Sequence, residues 1–149
     1  MQDAQQLVDT YLAEKHMMQL ATAVDGQPWC CSLYYVHDAD RNLYWASFPT
    51  RRHSHEIGSN PSVAIAIPIR HEKGQKVVGI QMEGRAERLT PTPANKPIVE
   101  AYAQKFGRTE DWIKTFTAGE NQHQLYKFTP SSIVLFDDIN FPGNPRVTL

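Results

Sequence analysis

The sequence predicts a mainly β protein, an antiparallel barrel with helical additions, and three observations carry that expectation. Six or seven short strand-like segments follow one another, joined largely by turns. Helical patterns are grouped at the N-terminus and after the fifth strand. Strands and helices do not alternate as a parallel βαβ architecture requires.

Taken in chain order, Leu7, Val8, Tyr11 and Leu12 form one apolar stripe, which predicts a short amphipathic first helix. "MMQLATAVDGQPWCCSLYYV" places Asp25-Gly26 between two strand-like runs, the pattern of a hairpin. "HDADRN" is a second turn and "LYWAS" a third strand. "SVAIAI" is apolar without alternation, which predicts a strand covered on both faces. In "VVGIQMEGRAERL" Val78, Ile80, Met82, Gly84 and Ala86 alternate with polar or small residues, so one face is expected inside. Asn95 and Pro97 open a helix with the stripe Ile98, Val99, Tyr102, Ala103 and Phe106, which Gly107 stops. Glu110 and Asp111 favour the start of a further short helix. "QLYKFTP" and "SSIVLFDD" read as two last strands separated at Pro130, and "INFPGNPRVTL" as a tail without regular structure.

The 149 residues suit a single domain spanning 1–149. Fifteen basic against 16 acidic side chains leave a formal charge of -1, which offers no global field for nucleic acid. Acids and lysine interrupt the N-terminal segment, and no apolar run reaches bilayer length, so a cytoplasmic protein with no membrane partner is expected. Adjacent Cys30 and Cys31 are expected as reduced thiols, one of them in the core.

The chemistry concentrates in "SFPTRRHSHEIGSNP". Nucleotide-loop, dinucleotide and hydrolase signatures are absent. His53, His55, Glu56 and the cysteines are available metal ligands, but His-x-His shares a face only on a strand, and a helix start is expected here, so no metal is expected. His55 is expected to be exposed, as are His16, His37, His71 and His123. Thr50, Arg51, Arg52 and His53 fall in the expected first turn of a helix running to Ile57, where free N–H groups, a hydroxyl and a guanidinium suit a phosphate. A solvated charged turn explains the same residues, and the pattern alone leaves both open.

"LATAVDGQPWCCSLYYV", "LYWASFPTRRHSHEIGSNPSVAIAI" and "GIQMEGRAERL", in that order, resemble the pyridoxamine 5'-phosphate oxidase-like flavin-binding split barrels, in particular a small bacterial branch. The resemblance runs from Met17 to Arg88 and more weakly to Asp137. It implies a Greek-key split barrel and a homodimer holding flavin mononucleotide, FMN, in clefts between subunits. By position it implies Ser47 near the flavin, Arg52 on the phosphate, His53 where the family has lysine, and Gln81 approaching the flavin. Cys31, Ser32 and Leu33 match the strand whose backbone lines the ring.

Two departures stand out. "PWCCSLYYV" lacks the family's phosphate-directed arginine, a charge Arg51 is placed to supply, and His53 replaces the lysine. The C-terminal Trp and Arg pattern for pyridoxal substrates is absent from "INFPGNPRVTL", so oxidation of pyridoxamine phosphate is not expected. The expectation is an FMN-dependent oxidoreductase acting on an unidentified small molecule. Its rivals are a non-catalytic ligand-binding or stress-response barrel and a haem-binding barrel using His53 or His55.

Overall fold

A computed structural model of the chain describes residues 3–149. Asp3 caps the first helix, α1 (Ala4–Glu14), by accepting a hydrogen bond from the Gln5 N–H at 2.9 Å. Val8 and Leu12 of its stripe are buried, with Leu7 and Tyr11 packed half-buried beside them. Strands β1 (Met17–Val24) and β2 (Gln27–Tyr34) form the expected hairpin. At its tip Asp25 and Gly26 both take positive φ, 51° and 77°, the left-handed geometry of a two-residue hairpin turn.

The short β3 (Val36–His37) then pairs with β4 (Leu43–Ser47), across a turn in which Asp38 accepts from the Asp40 and Asn42 N–H groups, each at 3.0 Å. Helix α2 (Arg52–Ser59) leads into β5 (Ser62–Arg70) and β6 (Val78–Leu89). A single 3-10 turn, Pro93–Asn95, precedes α3 (Lys96–Lys105); Asn95 sits at its start but donates to the Thr90 carbonyl rather than capping. Gly107, at φ 64°, ends that helical segment. α4 (Glu110–Thr117) is capped by Thr109, and β7 (Gln124–Asp137) and β8 (Arg146–Thr148) complete the chain.

All pairings are antiparallel, in the order β2-β1-β5-β6-β7-β4-β3, with β8 added to β7. The inward rows of β1, β4, β5, β6 and β7 meet in one core around Leu20, Trp45, Ile65, Ile80, Phe128 and Leu135. A second apolar cluster, Val36, Tyr44, Val99, Tyr102, Phe116 and Leu125, seats α3 and α4 against the sheet. Among the described residues no helix is long and apolar enough to cross a membrane.

Three expectations are corrected. β5 is covered on one face only: Val63, Ile65, Ile67 and Ile69 are buried, whereas Ser62, Ala64, Ala66 and Pro68 are exposed. Its alternation is one of size, large against small, which apolar character alone conceals. β7 runs unbroken through Pro130 because the β6–β7 register slips by one residue there: Glu83 opposes Ser132, but Gly84 opposes Pro130. The proline thus sits at a bulge, where the ladder already lacks a bond. The C-terminal tail is ordered as β8, because Asp137 accepts from the Ile139 and Asn140 N–H groups and turns the chain back onto β7.

Gly84 faces into the closest part of the sheet, where a Cβ would overlap the Thr129 carbonyl and approach the Phe128 ring to 2.8 Å. Gly84→Ala is expected to cost about 1–3 kcal/mol, the usual range for overpacking. Urea unfolding should show a lower midpoint with an unchanged m-value, and an unmoved midpoint would contradict this close approach.

Candidate functional site

The end of β4 and the start of α2 form one unit. Ser47 closes β4, the Arg51 N–H bonds the Phe48 carbonyl at 3.1 Å, and Arg51 precedes the helix in extended conformation. Among the described residues no side chain caps α2, so the N–H groups of its first turn lack the partners that helix geometry denies them. Thr50 and Arg51 are exposed beside that turn, the Arg51 guanidinium 5.4 Å from the centre of the Phe48 ring. The helix begins one or two residues later than the sequence pattern places it, which leaves Thr50 and Arg51 in the approach to it.

Arg52 has other partners. Its Nε donates to Glu56 Oε1 at 2.8 Å, one helical turn on, and its guanidinium lies 4.3 Å over the half-exposed Trp29 ring. Glu56 also accepts from the Thr22 hydroxyl, and Thr22 is the direct cross-strand neighbour of Trp29. The hydrogen bonds from Thr22 and Arg52 hold the Glu56 carboxyl below its ordinary range.

His53 points inward from the same turn. It is buried, and its Nε2 lies 2.7 Å from the buried Ser47 Oγ; the next hydroxyl, of Ser54, donates to the Phe48 carbonyl at 2.9 Å. Burial, reinforced by the Arg51 charge and opposed by Glu56, lowers the His53 pKa. His55 is exposed on another side of the helix, so the two histidines do not converge. No group of three His, Cys, Asp or Glu side chains able to hold a metal occurs among the described residues.

On β2, Cys31 and Leu33 pack half-buried against the barrel core. Burial pushes the Cys31 thiol up to about 11, with Cys30 and Glu56 adding to the rise. Cys30 is exposed. Ser32 faces the other way and donates to Gln19 Oε1 at 2.7 Å. Strand register puts Ser32, Gln19, Ala66 and Gln81 side by side across β2, β1, β5 and β6, on the outer face.

The residues singled out in the sequence therefore divide. Ser47, Thr50, Arg51, Arg52 and His53 gather at the start of α2, whereas Ser32 and Gln81 lie in the outer row. Three participants escape a sequence reading: Trp29, Thr22 and His123. The Arg52–Glu56 spacing is visible as an i, i+4 pair, but Trp29 and Thr22 reach it only through the hairpin register. His123, expected at the surface, is half-buried and stacked on Phe48 with ring centres 4.1 Å apart. His37 is also half-buried, and its pKa is lowered by burial and by Lys105.

The lowered pKa of His53 sets the sign of a pH effect. The unfolded chain takes up this proton near the ordinary value of 6.5, and the folded chain only at lower pH. Stability from this residue is thus complete above 6.5 and lost as pH falls below it. His53→Gln, which keeps a partner for Ser47 but does not titrate, should flatten the acid limb of stability against pH. The limit is one proton, about 1.4 kcal/mol per pH unit. An unchanged acid limb in urea titrations across this window would contradict a buried, neutral His53.

Comparison with known proteins agrees with this architecture. The family model for pyridoxamine 5'-phosphate oxidase matches residues 4–135. A UPF0306 protein of Photorhabdus laumondii is 38% identical over 89 residues, covering 56% of this chain and 59% of that protein. The chain thus spans less than two thirds of that relative's length. Among solved structures, an FAD-binding protein from Mesorhizobium loti has a TM-score of 0.70 at 22% identity, over 88% of this chain and 90% of that one. A haem-binding protein from Mycobacterium smegmatis has a TM-score of 0.77 at 14% identity, over all of this chain and 58% of that one. At such identities these structures share the fold, while the family model spans nearly the whole described barrel. The chain belongs to the pyridoxamine 5'-phosphate oxidase family.

Proposed function

We propose that the chain binds FMN and works as an oxidoreductase on a small molecule. The observation that carries this reading is the uncapped first turn of α2 flanked by Thr50 and Arg51, next to an aromatic ring, Trp29. A phosphate suits that turn: the N–H groups and the Thr50 hydroxyl can donate to it, and Arg51 has no ion-pair partner among the described residues. Arg52 shares its charge with Glu56 and serves instead to fix the Trp29 face.

Bound there, a flavin supplies hydride or electron transfer, and the protein supplies position and electrostatics. Behind the phosphate, the Ser47–His53 pair holds the turn in register with β4. The Cys31 thiol, held protonated at neutral pH, presents an uncharged wall to a ring lying along β2. In the same reading two copies pair through the outer face, where Ala21, Ala23 and Ala64 line a shallow groove of about 550 Å³ and the Ser32–Gln19–Ala66–Gln81 row meets the partner's cofactor. A cytoplasmic setting fits the two free thiols.

Titration with FMN, followed by quenching of flavin fluorescence, tests the reading. Saturable binding at micromolar or lower Kd is expected. Arg51→Ala should weaken it by about 1.5–3 kcal/mol, the value of a hydrogen bond to a charged group, and Arg52→Ala by less. Absence of saturable binding would remove the flavin, and an unaffected Arg51→Ala variant would remove this phosphate site. Acceleration of reoxidation by an added acceptor separates an oxidoreductase from a non-catalytic binding protein.

A second reading, haem binding, draws on His55, whose imidazole is exposed and makes no hydrogen bond among the described residues, unlike that of His53. It requires a Soret band on addition of haem that His55→Ala abolishes. A band that survives the substitution would dismiss His55 as the ligand.

A further inference from the structure

Beside α2 lies a pocket of about 520 Å³, bordered by Pro49 and Ser54 on the helix side and set at the end of the barrel where β6 and β7 finish their pairing. Three features distinguish it. Its floor includes Tyr126, only 2% exposed, whose hydroxyl makes no hydrogen bond with any described residue. Against that ring stacks Trp45, 5.6 Å between ring centres, whose buried indole N–H has no partner among the described residues. A buried donor such as the indole N–H is ordinarily satisfied, and leaving it bare costs roughly 1–3 kcal/mol, whereas the Tyr126 hydroxyl is not a buried orphan and is open to a ligand from the pocket.

The second feature is Arg88. The inward row of β6 runs through Met82, Gly84 and Ala86, and Arg88 continues it two residues on, directly opposite Tyr126 in the register. It ends in the pocket wall and has no ion-pair partner among the described residues. The third is the balance of the remaining lining. Ile57, Pro61 and Ala86 supply an apolar wall, and His55 supplies another N–H donor. Glu87 reaches the rim with opposite strand parity, where Lys127 is its cross-strand neighbour.

A guanidinium fork, a phenol donor and an apolar wall in one pocket match a planar carboxylate on a small apolar body. We infer that this chain has a second ligand site, at the barrel end between α2 and the β6–β7 terminus, which takes a small organic monocarboxylate through Arg88 and Tyr126. It does not rest on the flavin reading: its ligating groups, Arg88 and Tyr126, are not among those offered to the phosphate, although Pro49 and Ser54 of the neighbouring turn border the pocket.

The test uses the full chain without flavin, labelled with 15N, and titrates benzoate and then benzamide, its neutral isostere. Saturable benzoate shifts at residues around Ala86, Arg88 and Tyr126 are expected, with benzamide at least tenfold weaker. Arg88→Gln, at an exposed position, should weaken benzoate at least tenfold and leave FMN affinity unchanged. Tyr126→Phe should weaken benzoate severalfold, and the Arg88 variant decides the matter if the tyrosine variant fails to fold. No saturable shifts with benzoate, equal affinity for benzamide, or indifference to Arg88→Gln would each overturn the inference, whatever the outcome with FMN.

Discussion

The long ladder between β6 and β7 is the constraint on which the other elements depend. It runs from Val78 opposite Asp137 to Leu89 opposite Leu125, and β5, β4 and β8 all take their register from one of its two strands. The ladder stays continuous only because Gly84 lets the Thr129 carbonyl and the Phe128 ring come close at the slip. That slip also absorbs Pro130, which would otherwise interrupt a central strand. One missing side chain thereby allows a fourteen-residue strand to span the sheet and carry both apolar clusters.

From that frame the start of α2 follows by hydrogen bonding. β4 is positioned by β7, and the buried Ser47–His53 contact ties the last residue of β4 to the first turn of the helix. A neutral histidine suits this place better than a charged side chain, because the pair is buried and a cation there would lose its hydration. The charges are then allotted by geometry: Glu56 holds Arg52 across one helical turn, and Arg51, ahead of the helix, is left facing outward. The two adjacent arginines therefore have different surroundings despite identical chemistry.

Much of the architecture is legible from local pattern. The hairpin at Asp25-Gly26, the stripe of α1, the alternation of β6 and the stop at Gly107 each express backbone preferences or apolar spacing within a few residues. The pattern fails where the decisive partner is distant. Ala64 and Ala66 look like core residues until the sheet leaves them outside, Pro130 looks like a break until β6 supplies the slip, and the tail looks irregular until Asp137 folds it onto β7. For the candidate site, the basic cluster and its helix start are visible in the chain. Trp29, Thr22 and His123 are not, since strand register and a loop after α4 bring them there.

By itself the sequence determined the kind of fold, the order of its elements as far as β6 and the two helices after it, and the place where positive charge gathers, because these follow from periodicity, turn chemistry and residue type along the chain. Only the tertiary structure decided which arginine is free, which histidine is buried, and which face of each strand meets solvent. Those outcomes depend on contacts between residues far apart in sequence, and on burial, which sets the cost of a charge and the value of a hydrogen bond.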